Sequence, residues 1–349
     1  MTGKADSYAA AGVDVPAADR TVDALVGVLK AIDTGRPSRS VPLPGHYASV
    51  LRVTDELGIA LSTDGVGSKL VVAEQADRLE TVGIDAVAMN VNDIICVGAE
   101  PLAVLDYLAV ERADPAAAAR IAEGLKAGAE AAGVEIPGGE LAVLPELIRG
   151  HPSPHGFDLC ASCFGTVRLD AIVTGKRCAP GDALIGLPSS GLHANGYTLA
   201  RSALSSVSLH DTPAELAGAT VADALLEPTV IYVRAVLDLL RSGVAVNGLA
   251  HITGGGLLNL RRLSDGVGWS IEEPLPIPGI CALVERVGQV PRQELWEVFN
   301  MGCGFVCVVE EENADDAVAL LAGHHPGAAR IGTVTAAGGR VSAPGYAAG

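Results

Sequence analysis

The sequence is poor in basic residues, in aromatic residues and in long apolar runs. Lys and Arg number 24 against 41 Asp and Glu, which gives a formal net charge of −17. This deficit of cations disfavours a nucleic-acid-binding surface, because phosphate backbones are held by clustered Lys and Arg. Aromatic residues make up 3% and hydrophobic residues 49%, so the core must consist mainly of Ala, Val, Leu and Ile.

The sequence also lacks targeting signals and a disulfide framework. No window of about 18 apolar residues is free of charges and turn formers, which excludes a membrane span. No apolar run follows Lys4, so a signal peptide is not expected. Seven scattered cysteines, an odd number, fit a reducing compartment better than a disulfide scaffold. We therefore expect a soluble, cytoplasmic protein.

One cysteine pair has a spacing that could indicate metal or redox chemistry. Cys160 and Cys163 form a C-x-x-C within the apolar run 157–167, which is typical of a strand. Because strand side chains alternate, residues three apart point to opposite faces. The pattern therefore favours core thiols over a redox or zinc pair, and the same holds for Cys303 and Cys307.

The length of 349 residues suits two domains, which we predict at 1–170 and 171–349. Strand-like and helix-like segments alternate in a pattern typical of α/β or α+β enzymes. The predicted strands are 57–63, 101–110, 134–138, 157–167, 183–187, 248–253 and 330–334, with one more beginning at Cys303. The predicted helices are 85–97, 115–132 and 315–321, with others from Asn195, from Pro228 to Gly243, and from the glycines at 254–256 to Arg262. Residues 36–47 are expected to form an irregular arm.

The predicted helix 85–97 is apolar on nearly every face, yet it carries three polar side chains. Asn90 and Asp93 are spaced i, i+3 and are therefore neighbours on the helix surface, with Asn92 between them in the chain. A carboxylate on a buried helix is costly unless it is paired or holds a cation. Asp93 is thus either satisfied by backbone or an arginine, or a metal ligand that faces a cleft.

The segment STDGVGSK, residues 62–69, places an acid at the end of a predicted strand. Gly65 and Gly67 would let the backbone approach a ligand closely after Asp64, and Lys69 could neutralise a phosphate. The glycine spacing does not match a Walker A motif, and a plain turn is the alternative.

A third acid, Glu140, follows Gly139 at the end of another predicted strand. Acids at the ends of different strands, or on an adjacent helix such as the one with Asp93, can converge on one cleft. Oxygen-only ligands favour Mg²⁺ over zinc. The sequence therefore predicts magnesium together with a nucleotide.

A candidate anion site lies in SSGLHANGY, residues 189–197, directly before a predicted helix. Unpaired amides near Ser189, Ser190 and Gly191 could bind an anion without a net positive charge. His193 and Asn195 add polar side chains, although a lone loop histidine is often structural.

The segment HITGGG, residues 251–256, repeats this arrangement of strand, glycine-rich turn and helix. Thr253, Gly254 and Gly255 could surround a phosphate, or the glycines could simply provide flexibility. Two such turns in an acidic protein indicate a small phosphorylated substrate alongside ATP.

These motifs occur together, in this order, in a known family. The chain resembles the phosphoribosylformylglycinamidine cyclo-ligases, the aminoimidazole ribonucleotide synthetases of purine biosynthesis. The matching segments are SYAAAGVD (7–14), STDGVGSK (62–69), residues 81–109, PGGE (137–140), residues 180–197, HITGGG (251–256) and FNMGCGF (299–305).

The resemblance implies a two-domain fold and an ATP-dependent ring closure of formylglycinamidine ribonucleotide to aminoimidazole ribonucleotide, ADP and phosphate. It also implies a cytoplasmic homodimer whose N-terminal strands pair into an intersubunit barrel, and no nucleic-acid or membrane partner. The expected ATP- and Mg²⁺-binding residues are Asp64, Gly65, Gly67, Lys69, Asp85, Asn90, Asp93, Gly139 and Glu140, of which Asp64, Asp93 and Glu140 are the metal ligands. The expected substrate-binding residues are Ser189, Ser190, Gly191, His193, Asn195, Thr253, Gly254 and Gly255. Asp93, Lys69 and His193 are the expected catalytic residues.

The chain departs from the family pattern in three places. The arm reads Pro44-Gly45-His46-Tyr47-Ala48 where many bacterial members have Gly-Gly-Phe-Gly, Leu141 replaces a threonine, and Leu-Cys-Ala follows Asp158 in place of Leu-Ala-Gly. Three alternatives therefore stay open. They are another phosphotransferase of the superfamily, resembling thiamine monophosphate kinase or selenophosphate synthetase, a paralogue in a secondary pathway, and a non-catalytic scaffold.

Overall fold

The computed structural model describes residues 15–349, so the start of the chain and the SYAAAGVD segment at 7–14 lie outside the described residues. The elements up to residue 168 are α1 Val15–Leu29, β1 Ser40–Val41, β2 Ser49–Arg52, β3 Leu57–Gly65, α2 Lys69–Ala76, α3 Val82–Cys96, β4 Glu100–Val110, α4 Pro115–Ala132, β5 Glu135–Val143 and β6 Phe157–Arg168. The later elements are β7 Ala183–Pro188, α5 Tyr197–Ala203, α6 Val221–Leu226, α7 Val233–Arg241, β8 Val246–His251, β9 Gly268–Ile271, α8 Gly279–Gly288, α9 Arg292–Val298, β10 Cys303–Val309, α10 Ala314–His324, β11 Ala329–Thr335, β12 Val341–Ala343 and β13 Tyr346–Ala348.

The first sheet has six strands in the order β1-β2-β3-β6-β4-β5, antiparallel except for the parallel pair β4/β5. Burial alternates strictly along β6, where Leu159, Ala161 and Cys163 are buried and their neighbours are not. The buried face packs on α3, and a side chain on Gly165 would collide with Ile94 of that helix. The other face of the sheet is open.

The second sheet has seven strands in the order β13-β12-β9-β11-β7-β10-β8. Strands β7 and β10 and the edge strand β8 are buried along almost their whole length, as expected for strands that are covered on both faces. The two sheets confirm a two-domain α/β architecture with mixed strand directions. The predicted boundary at residue 170 falls between the last strand of the first sheet and the first strand of the second.

Helix α3 lies at the centre of the molecule, between the first sheet and the second half of the chain. Thirteen of its residues are buried, including Asp85, Asn90 and Asn92. These polar side chains bind backbone groups elsewhere. The amide of Asn92 donates to the Val230 carbonyl, and its oxygen accepts from the Tyr232 amide. The polar residues of this apolar helix thus join the two halves.

Most of the predicted helices and strands are confirmed, including the helices that were predicted from the residues at their ends. Asp114 caps α4 by accepting from the amides of Ala116 and Ala117, Pro115 occupies the first turn, and Gly133 ends the helix in the left-handed region. The predicted helix 85–97 is α3, which is followed by left-handed Gly98.

One helix boundary was predicted wrongly because tertiary contacts override local preference. The helix expected from Pro228 begins at Val233, since the stretch before it is bound to Asp85 and Asn92 of α3. The segment after the three glycines, Gly256–Arg262, is a 3₁₀ helix.

All seven cysteines are free. Cys163 is buried and Cys160 partly exposed, so the C-x-x-C side chains do lie on opposite faces of β6. Within residues 15–349, no helix is long and apolar enough to cross a membrane.

Candidate active site

The end of β3, the last turns of α3 and the end of β8 meet, and we call the place between them the cleft. Asp64 belongs to the end of β3, and its carbonyl accepts a hydrogen bond of 3.2 Å from the Asn90 side chain of α3. Asp93 lies one turn further along α3 and pairs with His251 at the end of β8, with Nδ1 and Oδ1 2.9 Å apart. The structure thus brings Asp64, Asn90 and Asp93 together, as the sequence predicts.

The two carboxylates lie in each other's electric field. Desolvation by the surrounding protein raises the pKa of Asp64 and the nearby Asp93 raises it further, whereas the Gly65 amide, His251 and Arg262 oppose the increase. The Gly65 amide donates to the Asp64 carboxylate over 2.8 Å. A bound cation would relieve the repulsion between the two acids.

The donor atoms of the cleft fit a hard divalent cation. Two carboxylates are accompanied by Asn90, whose buried Oδ1 has no hydrogen-bond partner although its amide nitrogen donates twice. Oxygen donors of this kind suit Mg²⁺, which retains water and phosphate oxygens among its ligands. Among the described residues, no three His, Cys, Asp or Glu side chains are close enough to hold a metal by themselves. The remaining ligands would therefore come from outside this cluster.

Glu140 does not join the other two carboxylates within one chain, contrary to expectation. In the first sheet, Gly65 aligns with Cys160, Cys160 with Tyr107, and Tyr107 with Glu140. Glu140 is therefore three strand spacings, about 14 Å, from the end of β3. It also lies on the open face with Tyr107, whereas Asp64 aligns with buried Ala161 on the helix-covered face. Gly139 lies beside Glu140 on the same distant strand.

Lys69 is not free to neutralise a phosphate, contrary to the expectation from the sequence. Its Nζ is fully buried and bonds to the Asp85 carboxylate and to the carbonyls of His193 and Glu227, at 2.8–3.1 Å. Burial lowers the pKa of Lys69, and Asp85 opposes that decrease.

Asp85, expected at the nucleotide site, is likewise committed to this buried network. Besides Lys69, it accepts from the amide and the hydroxyl of Thr229, at 2.8 and 2.6 Å. Both residues therefore hold the two halves of the chain together beneath the cleft.

The first glycine-rich loop is internally bonded. The Ser189 hydroxyl donates to Asn300 over 2.9 Å, and the Ser190 hydroxyl donates to the Pro228 carbonyl over 2.6 Å. The Gly191 carbonyl accepts from Asn300. The two serine hydroxyls expected to meet an anion thus donate to protein acceptors.

His193 is buried within this loop in a left-handed conformation, with φ of +61°. Burial, and then the charges of His251 and Lys69, lower its pKa well below the usual value, so the ring is neutral. Its Nε2 accepts a long hydrogen bond from the Ser190 amide, and its buried Nδ1 has no partner.

The second glycine-rich loop meets the first over α3. The Asn195 side chain lies 3.7 Å from the Met89 sulfur, and a side chain on Gly254 would come within 3.2 Å of the Asn195 oxygen. Asn259 accepts from the Thr253 amide and donates to the Gly254 carbonyl, which fixes the turn. Left-handed Gly255, with φ of +98°, continues it. Asn195, Thr253 and Gly254 thus lie together over α3, and their contact with a substrate stays a prediction.

Three residues of the cleft were not predicted from the sequence. His251 was in view as part of HITGGG, but only the fold places it against Asp93. Arg262 and Tyr47, which lie over one another at 4.9 Å, come from segments 215 residues apart. No local pattern in the sequence could have joined them.

Comparisons with known proteins agree with this architecture. Residues 45–167 match the family of AIR synthase related proteins in its N-terminal domain, and residues 179–343 match the same family in its C-terminal domain. The chain is 46% identical over 318 residues to the phosphoribosylformylglycinamidine cyclo-ligase of Thermococcus gammatolerans, covering 90% of this chain and 91% of the relative. It is 45% identical over 338 residues to the enzyme of the same name from Methanothermobacter thermautotrophicus, covering 96% of each.

Solved structures of low sequence identity share the fold. A ThiL complexed with AMPPCP and TMP has a TM-score of 0.62 at 17% identity and covers 93% of this chain and 92% of its own. The T. maritima PurL complexed with FGAR has a TM-score of 0.58 at 18% identity, covering 87% of this chain and 46% of its own. These structures show the fold, and the relatives above 40% identity show that the chain belongs to the phosphoribosylformylglycinamidine cyclo-ligase family of enzymes.

Proposed function

We propose that this enzyme closes the imidazole ring of formylglycinamidine ribonucleotide in purine biosynthesis. ATP phosphorylates the formamide oxygen, the amidine nitrogen attacks the activated carbon, and phosphate leaves, giving aminoimidazole ribonucleotide and ADP. The observation that carries the proposal is the meeting of Asp64, Asn90 and Asp93 with the two glycine-rich loops. The names of the relatives support the same reaction.

The residues of the chain act mainly by positioning in this scheme. Asp64, Asp93 and the unpartnered Asn90 oxygen would hold Mg²⁺, which would neutralise charge on the transferring phosphoryl group. His251 fixes the Asp93 carboxylate through its Nδ1 contact. Asn195, Thr253 and Gly254 border the place where the substrate would lie, and neutral His193 offers a hydrogen-bonding ring without a charge. Proteins of the same fold that carry AMPPCP or ATP support nucleotide binding here.

We further propose that the protein is a cytoplasmic homodimer formed through the open face of the first sheet. That face exposes apolar side chains in a row, including Leu51, Leu57, Leu105 and Tyr107, each 38–41% exposed. A second copy of the same face would cover them and form an intersubunit barrel. Glu140 belongs to this face, so we place its contribution to a metal site in the partner's cleft. Seven unpaired cysteines fit the cytoplasm.

An assay of ADP release tests the reaction. The enzyme with ATP, Mg²⁺ and formylglycinamidine ribonucleotide should release ADP and the aminoimidazole, and thiamine monophosphate should not substitute. Asp93→Asn should lower turnover at least about 100-fold while leaving the unfolding temperature nearly unchanged, because it removes a charge that faces the cleft. Asp170→Asn, an exposed acid paired only with Arg168, is the matched control.

No ADP above background from the wild-type enzyme would refute the proposed reaction. ADP formed with thiamine monophosphate would favour the phosphotransferase alternative. Full turnover by Asp93→Asn would remove Asp93 from the site.

A further inference from the structure

Arg262 is an unpaired cation at the edge of the cleft. It is the last residue of the 3₁₀ helix Gly256–Arg262, and it is exposed. Within the part of the chain that the structure describes, it forms no ion pair and no hydrogen bond through its side chain. Its guanidinium carbon lies 4.9 Å from the centre of the Tyr47 ring, which leaves its N–H donors available to another partner.

Tyr47 is itself held rigidly. It is 7% exposed, and its hydroxyl donates to the Asn259 carbonyl over 3.0 Å. Asn259 also fixes the turn at Thr253 and Gly254. The arm before the first long strand is therefore tied to the 3₁₀ helix that ends in Arg262, and the ring of Tyr47 supports the guanidinium.

Arg262 ends the 3₁₀ helix that follows the turn at Thr253 and Gly254, so it lies next to the loop that borders the cleft. Lys69, the cation that the sequence suggests for phosphate binding, is paired with Asp85 in the interior. Of these two cations, Arg262 is the one without an ion-pair partner among the described residues. A planar guanidinium can bind a phosphate through two parallel hydrogen bonds, which an ammonium cannot do.

We propose that Arg262 binds a phosphate group in the cleft and that Tyr47 positions its guanidinium for this contact. The inference rests on the proposed function, which brings two such groups to the cleft: the terminal phosphate of ATP and the 5′-phosphate of the ribonucleotide substrate. Both present the same chemistry to Arg262.

Kinetics of Arg262→Met and Arg262→Lys test the contact. Arg262→Met should lower kcat/KM by about 100-fold or more, as does the loss of other donors that stabilise developing charge. Arg262→Lys should retain part of the activity, since it keeps a charge without the planar fork. A rise in KM for ATP together with weaker AMPPCP binding assigns the contact to the nucleotide. A rise in KM for the ribonucleotide alone assigns it to the substrate phosphate.

Arg261→Met is the matched control. Arg261 is the neighbouring arginine of the same helix, half-buried and close enough to Tyr346 for its charge to lower the pKa of that residue. The Arg261→Met variant should keep kcat/KM within about threefold of the wild type if only the Arg262 guanidinium binds phosphate.

Two changes at Tyr47 test its positioning role. Tyr47→Phe keeps the ring and should stay within a few-fold of the wild type, whereas Tyr47→Leu removes the ring and should lose about tenfold in kcat/KM. In the Arg262→Met background, Tyr47→Leu should add little, because residues that act through one contact are non-additive. Full additivity of the two losses would refute the positioning role.

Unchanged kcat/KM and AMPPCP affinity in Arg262→Met would overturn the proposal, as would an equal loss in Arg261→Met. A loss of activity with a matching fall in the unfolding temperature would also overturn it, since that is a structural effect. If the wild-type enzyme releases no ADP, the proposed function fails separately. Titration of AMPPCP and of inorganic phosphate into wild-type and Arg262→Met protein still tests the contact.

Discussion

Two aspartates of one helix show how surroundings decide the role of a residue. Asp85 and Asp93 lie about two turns apart on α3. Asp85 is fully buried and bonded to Lys69 and Thr229, so it is structural. Asp93 is 15% exposed and faces the cleft beside His251, so it can meet a ligand.

The buried Lys69–Asp85 pair should be revealed by asymmetric effects of substitution. Lys69→Met should destabilise the fold by about 3–5 kcal/mol, because it leaves the Asp85 carboxylate buried without its counter-ion. Lys69→Met combined with Asp85→Leu should be less destabilised than Lys69→Met alone. Urea unfolding of the two variants measures the difference.

A phosphate contact by Lys69 would give the opposite result. In that case Lys69→Met would raise KM for ATP with little change in stability, and Asp85→Leu would restore nothing. Arg168→Met, which breaks an exposed pair with Asp170, is the control and should leave the midpoint of urea unfolding nearly unchanged, because solvent screens exposed ion pairs.

His46 should make stability depend on pH in the mildly acidic range. Burial, and then the charge of Arg262, lower its pKa from 6.5 to about 4. Between these values the unfolded chain binds a proton that the folded chain does not, so this contribution to stability falls as pH decreases from 6.5 to 4. The expected loss is on the order of 3 kcal/mol. Urea unfolding at several pH values gives the free energy of unfolding as a function of pH. Between pH 6.5 and 4 this free energy should change less with pH in His46→Asn than in the wild type. An equal dependence on pH in both proteins would contradict this assignment.

At the scale of elements, α3 and α4 pack so closely that glycine is required between them. A side chain on Gly124 would lie 2.0 Å from the Glu80 carbonyl, and one on Gly83 would lie 2.2 Å from the Leu125 amide. Both contacts are with backbone atoms, which cannot rotate away. The position of α3, and with it Asp93, depends on this close approach.

Gly124→Ala should therefore destabilise the protein by about 3 kcal/mol or more, since overpacking must move a helix. Gly323→Ala is the matched control, because a side chain there meets nothing within 4 Å and lies within α10. That change should stabilise by up to about 1 kcal/mol through better helix propensity. Thermal unfolding compares the two, and similar shifts in both variants would refute the packing argument.

Elements with strong local signals were predicted well, and those held by distant contacts were not. Helix α4 could be predicted because Asp114, Pro115 and Gly133 specify its ends locally. The helix after Pro228 could not, because Thr229 and Tyr232 bond to a helix more than 130 residues earlier. Strand β5 was predicted too short, since its pairing with β4 extends it to Val143.

At the scale of the whole molecule, the open apolar face of the first sheet predicts self-association. Replacing Leu105 and Tyr107 together by Glu should convert a dimer to monomers, because four charges would be brought together in the apolar interface of the dimer. Sedimentation equilibrium measures the mass. Ala347→Glu, on an exposed position of the second sheet, should leave the mass unchanged. A wild-type monomer, or a dimer that survives both charges, would contradict the proposed interface.

The sequence by itself determined the family, the two-domain α/β class, and most strands and helices, and it predicted that Asp64 and Asp93 lie near each other. These follow from local periodicity, capping residues and ordered motifs, which depend only on neighbours along the chain. Only the tertiary structure decided that Lys69 is buried, that Glu140 lies on the far face of the sheet, and that Arg262 stacks on Tyr47 without an ion pair among the described residues. Each of these depends on which distant groups reach the side chain, and burial and counter-ions are set by packing, which local sequence does not encode.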